Sequence, residues 1–82
     1  MWYVYFLKLA NDAIYVGSTD DLKRRVSEHN DGYVISTKPH RPMELKSYIA
    51  VETELHARQL ERYFKSGSGK AFAFKRLIKV SE

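Results

Sequence analysis

The sequence predicts an α+β domain, a small antiparallel three-stranded sheet covered by helices in the order β-β-α-β-α-α. Three observations carry this. Two aromatic-rich apolar runs, WYVYFLKL and IYVG, are separated only by a short ANDA break, the spacing of a hairpin. A basic segment with a helix-start signal, STDDLKRRVSEHN, follows at once. A third run of β character, YIAV, then leads into a second helical stretch that stops at SGSG. A chain of 82 residues makes one domain, taken as residues 1–82, and SGSG is too short to link two.

Trp2 to Leu9 carries Lys8 as its one charge, and its β-branched and aromatic residues suit a central strand buried on both faces. Asn11-Asp12 is turn chemistry, and Ala13 to Gly17 is the second strand. Pairing of the two is expected to bring Tyr3, Tyr5 and Tyr15 together. Gly17 then ends the strand where the helix begins. The Ser18-x-x-Asp21 spacing resembles a capping box, with Thr19 or Asp20 as equal candidates for the cap. On the first helix Leu22, Val26 and His29 share a face. Arg24 points roughly opposite, whereas Arg25 lies about 80° from the apolar direction, on the flank of His29. Only Arg25 can reach an inward site. Asn30-Asp31-Gly32 ends the helix.

Tyr33 to Pro42 is a loop broken by two prolines, and Met43 to Val51 supplies the third strand in its second half. Thr53 caps a helix to about Lys65, with Ala57, Leu60 and Phe64 as its stripe, Leu55 pointing elsewhere and Glu61 about 70° off, at the edge. Ser66 to Gly69 stops it and starts a last helix over Lys70 to Val80.

Composition narrows the function classes. The apolar fraction of 44%, with six tyrosines, four phenylalanines and one tryptophan, is enough for a globular core. With no cysteine there is no disulfide framework and no thiolate metal site. A signal peptide and a membrane span are not expected, so the chain is read as soluble and cytoplasmic. A net charge of +4 favours a polyanionic partner, nucleic acid first. Paired-His zinc spacing and glycine-rich phosphate loops of the P-loop or dinucleotide type are not found.

Nearly the whole chain resembles the GIY-YIG nuclease domain family, including the N-terminal nuclease domain of the bacterial excision-repair nuclease subunit. Tyr3-Val4-Tyr5 stands at the family's first triplet, with Tyr3 for glycine and Val4 for isoleucine. Tyr15-Val16-Gly17 stands at the second, and Arg25 at the spacing of the essential arginine. His29-Asn30 is similar to the HN pair, and ELHARQLERYFKSGSGKAF to the glutamate helix with Glu61 in the metal position. The asparagine some members carry after that helix has no counterpart; Ser66 and Ser68 occupy the region.

The resemblance implies a metal-dependent endonuclease that hydrolyses phosphodiester bonds, in DNA before RNA, with a repair-type role found in part of the family. Glu61 would hold one divalent ion, Mg²⁺ or Mn²⁺. Arg25 would clamp the scissile phosphate through its planar guanidinium. Tyr5 or Tyr15 would activate water, a phenol needing cationic neighbours or metal to do so at neutral pH. His29 would donate to the phosphate or share proton transfer with Tyr5. Lys23, Arg24, Lys38, Arg41 and Lys70, with Lys75, Arg76 and Lys79, would supply backbone contacts that set affinity rather than sequence choice. Either the substrate is then read by its shape, or a protein partner or a homodimer supplies specificity. Each residue also has a plainer reading: Arg25 in an ion pair with Asp21, Glu61 paired with Arg58, Arg62 or Lys65, the tyrosines as core aromatics, His29 closing its helix. The alternative at the level of function is a catalytically inactive nucleic-acid-binding module of the same fold, and after it a protein-interaction adaptor.

Overall fold

A computed structural model describes residues 1–78. Strands β1 (Trp2–Lys8), β2 (Ile14–Thr19) and β3 (Glu44–Val51) form one antiparallel sheet in the order β2-β1-β3. Helix α1 (Leu22–Asn30) and a 3-10 turn (Lys38–His40) precede β3, and α2 (Glu54–Lys65) and α3 (Gly67–Arg76) follow it. The α+β class, the element order and the three-stranded sheet are those expected. Among the described residues no helix is long and apolar enough to cross a membrane.

The centre of the sheet falls to β1 because both of its faces are apolar. Val4 and Phe6 point to one side, where Val16, Val51, Ala57, Phe64, Ala73 and Ile78 close the main core under α2 and α3. Phe6 meets Phe64 edge to face, ring centroids 5.1 Å apart. Tyr5 and Leu7 point to the other side, covered by Leu9, Met43 and the Leu22 and Val26 face of α1. The period-2 alternation of one strand thus separates a hydrophobic core from a face that carries hydroxyls.

Three local expectations are corrected. β2 does not stop at Gly17: Ser18 and Thr19 continue the ladder opposite Val4 and Tyr3. The helix cap therefore moves down the chain to Asp21, whose carboxylate accepts from Arg24 N–H at 3.1 Å, and none of Ser18, Thr19 and Asp20 caps it. Thr19 Oγ1 instead accepts from Asp21 N–H at 3.1 Å. The last helix begins at Gly67 rather than Lys70, because Ser66 ends α2 and its hydroxyl accepts from Gly69 N–H at 3.2 Å. Glycine suits this first turn despite its low propensity: a Cβ on Gly69 would lie 2.7 Å from Phe64 Cα, so only glycine lets the two helices meet so closely. The helix ends at Arg76; the expectation for Lys79 and Val80 lies outside the described residues.

Thr53 caps α2 as expected, accepting from His56 N–H at 3.1 Å, and Leu55 is exposed while Ala57 and Phe64 are buried. Helix α1 closes with Tyr33 N–H on Glu28 C=O and Gly32 N–H on His29 C=O, Gly32 having φ +84°.

Candidate active site

Tyr5, in mid-β1, faces Gly17 across the ladder, and its ring lies over the glycine backbone. A Cβ on Gly17 would come within 2.5 Å of Tyr5 Cζ, so the second-strand glycine is required by close approach rather than by a turn. Tyr15, two residues earlier on β2, lies on the same side, its ring centroid 6.3 Å from that of Tyr5. His29 comes up from α1 between them, 5.7 Å from Tyr5 and 5.0 Å from Tyr15 by ring centroids. Tyr3 does not join them. It packs edge to face on Tyr48 of β3 at 5.9 Å, because β3 adjoins β1 on the side away from β2.

Tyr5 Oη and His29 Nε2 are hydrogen-bonded at 3.0 Å, and His29 Nδ1 is bonded to Thr37 Oγ1 at 2.8 Å. All three side chains are buried. Both ring nitrogens of His29 are therefore occupied, which removes direct donation to a phosphate and leaves an exchange with Tyr5. Burial, and then the nearby Arg25 charge, push the imidazole down to about 4, so it is neutral at pH 7. Burial pushes the Tyr5 phenol up to about 12 and outweighs the opposing pull of the Arg25 guanidinium. Arg25 does not by itself make Tyr5 a base at neutral pH.

Arg25 stands beside the Tyr5 hydroxyl, about one-third exposed, and its Nη1 donates to Glu28 Oε1 at 3.0 Å. Its ion-pair partner is Glu28, not Asp21. Arg24 is turned outward to Asp20 and Glu28 at 3.5 and 3.7 Å, so the two adjacent arginines differ as the helical geometry requires. Asn30 has a structural task that its position does not reveal: its side-chain amide donates to Met43 C=O at 3.1 Å and accepts from Met43 N–H at 2.8 Å. It thereby fixes the loop that brings Thr37 under His29.

Glu61 reaches the same region from the other face of the sheet. Ser18, next to Gly17, points toward α2 and donates to Glu61 Oε1 at 2.7 Å, while Lys65 Nζ bonds Oε2 at 2.7 Å. Burial raises the Glu61 carboxyl, but the bonds from Lys65 and Ser18 and the charges of Lys65 and Arg58 overcome it, leaving the group below its ordinary value. Its charge is close enough to act on Tyr5. Among the described residues no three His, Asp or Glu side chains converge on a metal position. The donor set is one ionised carboxylate at the edge of an open cleft shared with Arg58, Arg62 and Lys65. That fits a hard ion held mostly by water and substrate oxygens, such as Mg²⁺ or Mn²⁺, once Lys65 yields Oε2.

The five proposed substrate contacts are not gathered in one place. Lys23 and Arg24 project from α1, and Lys38 and Arg41 from the following loop, where Arg41 Nε donates to Lys38 C=O at 2.9 Å. Lys70 sits on α3 at an apolar cavity with Phe6, Ile14 and Phe74. Sequence reasoning took Arg58, Arg62 and Lys65 only as ion partners for Glu61. Lys65 is one, Arg58 pairs with Glu54 at 2.8 Å, and all three line the cleft beside the carboxylate. Their three- and four-residue spacing on one helix was the available signal.

The fold is that of a small GIY-YIG domain. The sequence matches the GIY-YIG catalytic domain over residues 1–75, and the chain belongs to that nuclease family. It is similar to a UPF0213 protein of Bacillus pumilus, 38% identical over 69 residues that cover 83% of this chain and 70% of that protein. It is similar also to the UPF0213 protein YazA of Bacillus subtilis, 41% identical over 64 residues, 77% of this chain and 65% of that protein. The solution NMR structure of the UPF0213 protein BH0048 from Bacillus halodurans has a TM-score of 0.61 at 26% identity, covering 98% of this chain and 89% of that one.

Proposed function

We propose that this chain, acting as a single domain over residues 1–82, is a metal-dependent endonuclease that hydrolyses phosphodiester bonds in nucleic acid, DNA before RNA. The observation that carries the reading is the convergence of Tyr5, Tyr15, Arg25 and His29 on one glycine-backed patch, with Glu61 at its rim. Hydrolysis needs a positioned water, neutralisation of charge growing on phosphate oxygens, and relief of the departing oxygen. Arg25 presents its guanidinium fork to two non-bridging oxygens, which exchange for Glu28 as partners. Tyr5 orders the water whose oxygen bonds to phosphorus as the bond to the 3′ oxygen breaks. Tyr15 packs beside it and shields the patch. Glu61 would hold a Mg²⁺ or Mn²⁺ ion, which would supply positive charge to offset the charge growing on the phosphate. Arg58 and Arg62 extend the cationic surface along α2, and Lys23 and Arg24 along α1, so affinity falls steeply with salt. Sequence or branch-shape preference comes from a protein partner or a second copy, and the site of action is the cytoplasm.

The second reading is a module of the same fold that binds nucleic acid without cutting it. It is favoured by one observation, that both Glu61 oxygens are engaged by Ser18 and Lys65. Incubation with labelled duplex, flap, branched and single-stranded DNA and RNA, with and without Mg²⁺ or Mn²⁺, separates the two. Metal-dependent products establish the nuclease; salt-sensitive binding with no product on any substrate establishes the module.

A further inference from the structure

Tyr5 poses a chemical problem for the proposed reaction, because a buried phenol that keeps its proton is a poor acceptor for a proton from water. What matters is then where its own proton points. That direction is tied to which nitrogen of His29 carries the proton.

Thr37 Oγ1 touches two groups, His29 Nδ1 at 2.8 Å and Val34 C=O at 3.4 Å. Val34 C=O also accepts from the Thr37 and Lys38 amides at 3.1 and 2.9 Å, so the Thr37 hydroxyl proton has two places to go, this carbonyl or His29 Nδ1. With that proton on Val34, Thr37 Oγ1 accepts from His29 Nδ1–H. In a neutral imidazole that leaves Nε2 bare, and the bare nitrogen accepts from Tyr5 Oη–H at 3.0 Å. In this arrangement the chain of donors runs from Tyr5 through His29 and Thr37 to the backbone of Val34. Among the described residues no buried side-chain polar atom lacks a partner. With the Oη–H turned inward, the free lone pairs of the phenol face Arg25.

We propose that Thr37 is a positioning residue of the nuclease site: by fixing His29 with its proton on Nδ1, it makes Nε2 the acceptor for Tyr5 and so turns the Tyr5 oxygen outward to receive a proton from the attacking water. The inference rests on the nuclease reading for its catalytic part. In the step itself the water O–H bond breaks as its proton passes to Tyr5 Oη, and the Oη–H proton passes to His29 Nε2. The hydroxide oxygen bonds to phosphorus and the 3′ oxygen leaves with the electron pair of the broken P–O bond, taking a proton from solvent water. Tyrosine is neutral before and after, and the imidazolium formed gives its extra proton back through Tyr5 to solvent. Phosphate bound at Arg25 helps this transfer, since it offsets the positive charge that opposes a second proton on His29.

The test begins with the wild-type protein and its three histidines. Long-range ¹H–¹⁵N spectra at pH 7, with His29 assigned by its loss in His29→Gln, are expected to show His29 protonated on Nδ1 only. Protonation on Nε2 would overturn the inference whether or not the protein cuts nucleic acid. Thr37→Val is expected to lose that preference and to lower kcat by ~10–100-fold with KM unchanged, the effect of an outer hydrogen-bond partner that fixes a histidine tautomer. Thr37→Ser should restore both the spectrum and kcat. An unchanged kcat in a folded Thr37→Val protein, or a failure of Thr37→Ser to restore it, would also overturn the positioning role. Lack of cleavage by wild type beside an Nδ1-protonated His29 would remove the nuclease reading and the catalytic part of the inference with it, and would leave Thr37 as a structural partner.

Discussion

Tyr5 and Gly17 are in contact across the β1–β2 ladder so closely that the phenol occupies the space of a side chain at residue 17. The relationship joins the first and second triplets into one physical unit. The glycine admits the ring, and the ring delivers its hydroxyl to His29. Gly17→Ala would put a methyl group 2.5 Å from Tyr5 Cζ, and the buried ring must shift. The expected cost is about 1–3 kcal/mol, as for overpacked cores. A thermal melt should show the midpoint lowered by roughly 5–20 °C in a domain of this size. A midpoint equal to wild type would mean that the ring moves freely, which this packing forbids.

Arg25→Lys retains a charge and discards the planar fork. The present Glu28 pair is partly exposed, so stability should change by less than ~1 kcal/mol in urea unfolding. Cleavage should fall by about 10²–10³-fold, the scale for losing one transition-state donor, while binding measured by anisotropy weakens far less. Arg24→Lys, on the outer side of the same helix, should leave the rate close to wild type.

Protonation of His29 sets an acid limb for stability. The group titrates at about 4 in the folded chain and near 6.5 when unfolded. Between those values the unfolded chain holds the extra proton, so stability is full above pH 6.5 and is lost as pH falls toward 4, by at most ~3 kcal/mol. The groups facing His29 are Arg25 and Glu28 from its own helix, Tyr5 and Tyr15 from the sheet, and Thr37 from the loop. Glu61, held below its ordinary value, loses its contribution only at lower pH. Urea unfolding at pH 4.5, 5.5 and 6.5 measures the slope, and His29→Gln should flatten it.

Lys65, bonded to Glu61 Oε2, would compete with a divalent ion for that oxygen. Removing the lysine in Lys65→Ala takes away an unfavourable charge of about 1 kcal/mol at this partly exposed pair, which corresponds to roughly fivefold tighter ion binding. Titration with Mn²⁺ in the presence of nucleic acid should show the half-saturating concentration lowered. A rise would mean that Lys65 supports the metal rather than excluding it.

The parts of this site that sequence revealed are those set by a single element. The apolar character of both faces of Trp2–Lys8 predicts the middle of the sheet, and helical geometry alone separates Arg25 from Arg24. The parts it missed depend on elements far apart in the chain. Tyr3 goes to Tyr48 because β3 lies beside β1, a pairing no local pattern announces. Ser18 has the spacing of a cap, yet the strand runs past it and hands its hydroxyl to Glu61, 43 residues on. Thr37 lies in a proline-broken loop with no periodicity, held under the imidazole by the Asn30–Met43 clamp and by Ala10 N–H on His40 C=O.

The most direct test of the central claim is metal-dependent cleavage of labelled duplex, flap, branched and single-stranded substrates by wild type, Arg25→Ala and Glu61→Ala in parallel, with binding followed on the same samples. The account predicts products with Mg²⁺ or Mn²⁺ from wild type only, and two variants that stay folded, with Glu61→Ala still binding. Undiminished cleavage by Glu61→Ala or Arg25→Ala would contradict it, because the cut would then come from chemistry outside this patch.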